Sequence, residues 1–264
     1  MKGTNSIPSF SLEGKVAIVT GGTRGIGHGI ARTLCAYGAT VVITGRKQEA
    51  CTKAAQEMDS QGRVVGIAAD VTQEDARRAL IEQTVERFGR IDILVNNAGV
   101  GGREFPLFDM TMEEWSGTFD ADLTAVFRLS TLAAEQMKKQ GRDGTSMPYR
   151  IINMASVAGL KSAKYTSAYA AAKAGVLHLT RVMANEWARY GITVNSIAPG
   201  TIVTDMTSDV RADEKNANAV LKAIAMRRFG QVEDIAGSAL FLASDAAGYI
   251  TGVNIPVDGG MLLN

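Results

Sequence analysis

Lys15-Val-Ala-Ile-Val-Thr20, running directly into Gly21-Gly-Thr-Arg-Gly-Ile-Gly27, reads as a buried strand, a glycine turn and the opening of a helix. The apolar run is short and rich in valine and isoleucine, as a strand covered on both faces should be. Glycines at 21, 25 and 27 permit a tight turn, close approach of a pyrophosphate to backbone N–H groups, and close packing of helix on strand. The spacing is G-x-x-x-G-x-G and not the generic G-x-G-x-x-G. The dinucleotide reading therefore leans on the loop's position after the first strand. A glycine-rich turn without a ligand is the alternative.

Outward from this stretch, the pattern repeats along the chain. Lys15–Thr20, Thr40–Thr44, Val64–Ala69, Ile93–Asn96, Arg150–Met154, Thr193–Ile197 and Asn254–Val257 read as strands. Ile26–Tyr37, Gln48–Gln61, Gln73–Phe88, Thr111–Gln140, Ser167–Tyr190 and Val232–Leu242 read as the helices between them. Such alternation predicts an α/β fold: a Rossmann-type doubly wound sheet of seven parallel strands flanked by helices on both faces. With 264 residues and no repeat, low-complexity tract or Pro-rich linker, residues 1–264 are expected to form a single NAD(P)-binding domain. The polar stretch Gly141–Pro148 reads as a surface loop, a tolerated insertion before the fifth strand.

Composition narrows the function classes. A net charge of +1 and a sequence pI near 7.7 give no excess that would suit nucleic acid or an anionic membrane. Cys35 and Cys51 fall in helix-like stretches without metal spacing and read as reduced thiols. The stretch Met1–Phe10 has no apolar signal-like core, and no apolar run approaches a membrane span, so a cytoplasmic protein is expected.

The second strand bears on the cofactor. An acid near its end would bind the 2′-hydroxyl of NAD. This chain has Thr44-Gly45-Arg46-Lys47 there instead, with no acid before Glu49. Arg46, with Arg24 from the glycine loop, could clamp a 2′-phosphate, so NADP(H) is favoured and NAD(H) remains possible. Alternatively, Arg46 and Lys47 merely cap a solvated helix start.

Chemistry enters at Tyr169-Ala-Ala-Ala-Lys173, with Ser156 upstream. Tyrosine and lysine at i and i+4 share a helix face, and an ammonium beside a phenol favours the phenolate. A hydroxyl from another element could bind a carbonyl or alkoxide at the same point. That outlines a proton-transfer site for interconverting an alcohol and a ketone. Taken alone, such a pair is an ordinary solvated helix face.

Together these segments resemble the short-chain dehydrogenase/reductase family, in its single-domain branch of bacterial ketoreductases and sugar or alcohol dehydrogenases. The resemblance runs from about Leu12 to Gly260. It implies cofactor contacts from Gly21, Thr23, Arg24, Gly25, Ile26 and Gly27 and from Arg46. Asp70 and Val71 resemble the pair that meets the adenine. Asn96-Asn97-Ala98-Gly99 looks like the motif that steadies the sheet, with Asn97 near the adenosine ribose. Pro199–Thr204 resembles the segment that orients the nicotinamide carboxamide, giving Ile202 and Thr204; Ile250-Thr251-Gly252 and Val257–Gly260 resemble the C-terminal signature. Ser156, Tyr169 and Lys173 match the catalytic set at the family's spacing. The resemblance implies that Ser156 steadies the substrate oxygen, Tyr169 exchanges a proton with it, and Lys173 assists Tyr169 and binds the nicotinamide ribose. A homodimer or homotetramer is also implied.

One position departs from the pattern. Phe119-Asp-Ala-Asp122-Leu-Thr-Ala125 places Asp122 where the family carries asparagine, whose backbone carbonyl holds a water in a proton relay to the lysine. A backbone role survives the change. A carboxylate near Lys173 could bind the ammonium and weaken its pull on Tyr169, or could be inert in the helix packing. Asp122 is grouped with the candidate catalytic residues for that reason.

Other residues carry less. His28 and His178 lack partners at metal or triad spacing, and no metal is expected. Tyr165, Thr166 and Ser167 read as opening the catalytic helix. Arg103 and Glu104 read as solvated loop charges, and Arg227-Arg228 as weak grounds for an acidic carrier partner. Val176, Leu177, Leu179, Val182 and Met183 read as a core stripe. Residues 202–220, small and polar, are expected to form a lid over a small-molecule carbonyl or alcohol substrate. Two further families of function are set against an NADP-dependent alcohol/ketone oxidoreductase. A non-catalytic NADP-sensing protein should have lost Ser156, Tyr169 or Lys173. A sugar-nucleotide epimerase or dehydratase usually has a C-terminal substrate domain, and four residues follow Gly260 here. Between a 3-oxoacyl-[acyl-carrier-protein] reductase and a gluconate-type sugar-acid dehydrogenase the sequence is silent.

Overall fold

β-Branched and aliphatic residues fill both faces of the predicted strands, and all of these segments enter one parallel sheet. The computed structural model describes residues 7–59, 61–101, 106–141, 148–162 and 164–263. The strands are β1 (Val16–Thr20), β2 (Thr40–Gly45), β3 (Val64–Ala68), β4 (Ile93–Asn96), β5 (Tyr149–Met154), β6 (Ile192–Pro199) and β7 (Asn254–Val257). Their order is β3-β2-β1-β4-β5-β6-β7. The order reverses between β1 and β4, so a crevice opens beyond the carboxyl ends of those two strands, where such sheets bind ligands.

The helices are α1 (Gly25–Ala36), α2 (Gln48–Met58), α3 (Glu74–Phe88), α4 (Met112–Phe119), α5 (Ala125–Gln140), α6 (Ser167–Trp187), α7 (Ser208–Ala212), α8 (Glu214–Ala223) and α9 (Val232–Ala243). Alternation along each strand divides the core in two. Ala17, Val19, Ile43, Val95 and Ile152 face Ile30 and Leu34 of α1, Ala54 of α2, and Ile235 and Leu242 of α9. Ile18, Val42, Leu94 and Ile151 face Leu80 of α3, Leu129 and Met137 of α5, and Met183 of α6. Each fully buried leucine or isoleucine stabilises the fold by roughly 1.5–3 kcal/mol relative to exposure. β7 is the exception to two-sided burial: it is a half-exposed edge, and it carries Pro256, which an edge tolerates.

Two expectations need correction, and the lid gains detail. The single helix expected over Thr111–Gln140 is interrupted: α4 and α5 are joined by a π-helical turn, Asp120–Thr124, in which the Ala125 N–H bonds to the Asp120 carbonyl. Hydrophobic period alone does not distinguish one extra residue in a turn. In the expected lid, residues 205–207 form a 3₁₀ turn, and α7 and α8 follow without a single buried residue. α8 carries a short apolar stripe, Ala217, Val220 and Leu221, which is half-buried, and the Asp213 side chain caps the helix through the N–H groups of Lys215 and Asn216. Within the α6 stripe, Val176, Leu177 and Met183 are buried and Leu179 packs against the core, but Val182 is 41% exposed. Arg103 and Glu104, and most of the Gly141–Pro148 loop, lie outside the described residues. No helix among the described residues is long and apolar enough to cross a membrane.

Candidate active site

The glycine loop closes the carboxyl end of β1. Gly21 and Gly25 take positive φ angles of 63° and 56°, which other residues adopt rarely. A Cβ on Gly27 would lie 2.4 Å from both the Gly21 carbonyl oxygen and the Asn97 Nδ2, so the loop can turn this tightly only without one. Arg24 stands at the N-cap of α1 without a side-chain capping bond, and the first turn holds no acid. The opening N–H groups of α1 are thus left for a ligand, and the helix dipole favours an anion there. A pyrophosphate fits this cradle.

Asn97 ties the cradle to the next strand. Its Nδ2 donates to the carbonyls of Thr20 (2.9 Å) and Gly21 (3.3 Å). Thr20 Oγ1 accepts from the N–H groups of Asn97 and Ala98, each at 2.9 Å. Asn97 therefore braces the glycine loop, a role beyond the expected ribose contact. Asn96, pointing the other way, donates to Ser130 Oγ and to Asn153 Oδ1, both at 2.8 Å, and Asn153 passes the network to Thr180 on α6 at 2.9 Å.

Around the adenosine end, Thr23 lies against Gly45, and a Cβ on that glycine would sit 3.0 Å from Thr23 Cγ2. Ile26 turns its side chain onto the core. Arg46 is exposed just beyond β2 and close enough to Asp70 to help hold its carboxyl below the usual range; the main cause is the N–H and hydroxyl of Thr72, which bond to it. The Val71 carbonyl accepts from Arg77. Arg24 is exposed and forms an ion pair with Asp205 at 3.4 Å, across the mouth of the cradle. Thr204 lies beside Gly25, 3.5 Å from where its Cβ would be. Ile202 is 3% exposed, its side chain in the core, and its carbonyl accepts from Thr207 Oγ1 at 2.6 Å.

The candidate proton-transfer residues lie around the carboxyl end of β5. Ser156 caps a 3₁₀ turn, Val157–Gly159, its Oγ accepting from the Ala158 N–H at 3.1 Å. Gly159 presses that turn onto α6: a Cβ there would meet the Lys173 carbonyl carbon at 2.7 Å. Tyr169 and Lys173 occupy successive turns of α6, with the ammonium 5.5 Å from the phenol ring centre. Lys173 Nζ donates to the Met154 carbonyl at 3.1 Å, tying α6 back to β5. Its other partner is Asp122, delivered by the π-helical turn, with Oδ1 3.0 Å from Nζ. π-turns recur at functional sites because they re-aim one residue of a helix. Burial alone would lower the Lys173 pKa; the charges of Asp122 and Tyr169 outweigh it and hold the lysine above its ordinary value. Burial pushes the enclosed Asp122 carboxyl up, against the pull of Lys173. Of the two, the lysine's direction carries the weight here, because two groups act on it in the same sense.

Comparison with known proteins gives the same frame. A family model described as enoyl-(acyl carrier protein) reductase matches residues 21–262. The chain is 39% identical over 257 residues to a 2-dehydro-3-deoxy-D-gluconate 5-dehydrogenase of Escherichia coli, covering 97% of this chain and 98% of the relative. The chain belongs to the short-chain dehydrogenase/reductase family. It is similar at 41% identity to a 3-oxoacyl-[acyl-carrier-protein] reductase of Synechocystis, over 96% of this chain and 99% of that one. A crystal structure of a gluconate 5-dehydrogenase from Burkholderia cenocepacia, in complex with NADP and tartrate, superposes with a TM-score of 0.91 at 35% identity, covering 97% of this chain and 98% of the other.

The structure thus pairs Lys173 with Asp122, sets Tyr169 one helical turn from Lys173, and places Ser156 at the start of the turn that Gly159 seats against α6. The glycine-loop residues and Thr204 line a second region next to it. Thr20, Ser130, Asn153 and Thr180 escaped the sequence reading. Each is a small polar residue inside an apolar run, and only three-dimensional pairing gives it a role. His28 and His178 join no cluster, and among the described residues no three His, Cys, Asp or Glu side chains gather at a common point. Thr166 takes the N-cap of α6, and Tyr165 before it adopts a left-handed φ of 67°.

Proposed function

We propose that this short-chain dehydrogenase/reductase interconverts a secondary alcohol and a ketone with NADP(H), using Ser156, Tyr169 and Lys173. The observation that carries the reading is the fixed Lys173 ammonium, held by the Met154 carbonyl and Asp122 one helical turn from Tyr169. Bound in the glycine-loop crevice, the nicotinamide cofactor supplies or accepts a hydride at the substrate carbon. Ser156 donates a hydrogen bond to the substrate oxygen, where negative charge develops in reduction. Tyr169 gives that oxygen its proton and, in oxidation, removes it. Lys173 keeps a positive charge beside the phenol throughout.

Arg24 and Arg46 support the phosphorylated cofactor, because guanidinium groups suit a 2′-phosphate and no acid stands at the end of β2 to repel it. The NADP in the Burkholderia structure supports the same choice. NAD(H) is the alternative. The names of the two curated relatives concern a hydroxyl or oxo carbon, one on a sugar acid and one on an acyl thioester, which supports alcohol/ketone chemistry. Phe127 on α5 and Val182 on α6 are 44% and 41% exposed, which supports association into a homodimer or homotetramer through that face.

Nicotinamide absorbance, followed with both cofactors against 3-oxoacyl thioesters, keto-sugar acids and simple ketones, tests the reading. Tyr169→Phe should reduce kcat at least a thousandfold while leaving NADPH binding within about threefold of the wild type. Retained turnover in that variant refutes the assignment.

A further inference from the structure

Asp122 is where this chain departs from its family, and its surroundings give that departure a consequence. The side chain is fully buried (0% exposed), and Lys173 beside it is 6% exposed. Oδ2 accepts the Val100 N–H at 3.3 Å. Oδ1 has no hydrogen bond of acceptable geometry, and its contact is the 3.0 Å ion pair with Lys173. Gly99 makes room for it: a Cβ there would lie 2.2 Å from Oδ1. A carboxylate is thus enclosed against the Lys173 ammonium, which is the close neighbour of its Oδ1.

The groups facing that ammonium fix the local charge. The π-helical turn contributes Asp122, and α6 itself contributes Tyr169. β5 contributes a neutral carbonyl, Met154, and the 3₁₀ turn after it presents Ser156 and Gly159, both neutral. The segment after β4 contributes the neutral Val100 amide. Among the described residues, Asp122 is therefore the one carboxylate that balances Lys173. An asparagine in its place would keep an acceptor for Nζ and leave the positive charge unbalanced.

We propose that Asp122 is a positioning residue that holds the Lys173 ammonium by a buried ion pair and, through its charge, sets the pH at which the oxidative reaction begins. The inference rests on the proposed roles of Tyr169 and Lys173. A carboxylate paired to the ammonium offsets the positive potential reaching the phenol oxygen, so the phenolate needed for oxidation forms at a higher pH than with a neutral residue at 122. In reduction, the same offset keeps the phenol able to donate its proton to a higher pH. The pair therefore biases the site toward reduction at neutral pH.

Asp122→Asn and Asp122→Ser test this with two readouts. The first is the pH profile of kcat for oxidation of ethyl 3-hydroxybutanoate with NADP⁺, and for reduction of ethyl acetoacetate. The second needs no substrate: the phenolate absorbance near 295 nm contributed by Tyr169, taken as the difference between each form and its Tyr169→Phe counterpart. In Asp122→Asn both the acid limb of oxidation and the onset of the 295 nm difference should move down by about one pH unit, a shift typical of changing one charge at this range. The alkaline limb of reduction should move down with them. Asp122→Ser, also neutral, should show the same shift and decides the matter if Asp122→Asn does not fold. A folded neutral variant whose rate falls with no displacement of the limbs or of the 295 nm onset overturns the proposal, leaving Asp122 a packing role. If Tyr169→Phe itself retains turnover, the failure lies with the assignment of the site and not with Asp122.

Discussion

Thr20→Val removes one hydroxyl and keeps the shape of the side chain, at a position where that hydroxyl joins two strands to the cofactor cradle. Thr20 is 1% exposed at the carboxyl end of β1. Its Oγ1 accepts from the Asn97 and Ala98 N–H groups at 2.9 Å each and donates to the Val95 carbonyl at 3.4 Å. Each well-made bond is worth about 1 kcal/mol net, and a buried donor left without a partner costs ~1–3 kcal/mol. Two amide groups lose their acceptor here. Because Asn97 and Ala98 are half-buried, water meets part of the loss, and the low end of the range applies to each. The expected destabilisation is about 2 kcal/mol, read in urea unfolding as a lower midpoint with an unchanged m-value. Thr20→Ser keeps the hydroxyl and loses only a methyl, so it should cost about 1 kcal/mol. The Asn97 brace loosens with Thr20, so NADPH affinity, measured by fluorescence titration, should fall in the valine variant and stay near wild type in the serine variant. A valine variant within about 0.5 kcal/mol of the wild type, on the same additivity scale, would refute the account of this loop as hydroxyl-braced. So would a serine variant as damaged as the valine one.

Arg46→Ala should raise the KM for NADP about 10–100-fold, the loss of a charge-assisted contact, and leave that for NAD nearly unchanged; equal effects on both would place Arg46 outside the 2′-phosphate site. Glu74 binds Arg128 of α5 and Arg77 of its own helix, and chiefly the Arg128 bond, then that of Arg77, holds its carboxyl down at about 2, below the ordinary 4.5. A lowered carboxylate pKa contributes stability above the unfolded value, and that contribution is lost as pH falls through the folded value. Glu74→Gln should accordingly melt at a lower temperature than the wild type at pH 7, with the gap closing between pH 4.5 and about 2. A gap independent of pH would show that the glutamate contributes through packing alone.

Much of the architecture was legible because apolar runs at β1, β4, β5 and β6 leave no other placement for their residues than a two-sided core. Register followed from alternation: Ile18 and Val19 had to face opposite helices. The juxtaposition of Tyr169 and Lys173 was legible for a different reason, since i and i+4 share a face by helical geometry alone. What escaped depends on pairing across space. The bracing hydroxyl of Thr20 and the Asn96–Asn153–Thr180 chain are indistinguishable in sequence from small residues that merely tolerate burial. The π-helical turn at Asp120–Thr124 adds one residue to a helix whose apolar pattern hardly registers it, although that residue determines where Asp122 stands. α8 is signalled only by three apolar residues, Ala217, Val220 and Leu221, in a stretch otherwise small and polar, and these are half-buried, too short a stripe to stand out from a polar lid.

The contact of Gly159 with the Lys173 backbone bears on the timing of assembly in the catalytic cycle. It joins the serine turn to the lysine helix through main-chain atoms, which do not swing between rotamers, and the Met154 carbonyl and Asp122 then fix the ammonium from two further sides. These groups are held together by contacts within the protein itself. For the proposed reaction, binding energy would then not be consumed in gathering the serine turn and the lysine helix, and dipoles aimed at the developing charge would need little reorientation. The changes of that reaction would be confined to the transferred hydride and proton, with the cofactor and substrate that exchange them, within a frame set by the close seating of one glycine against a helix.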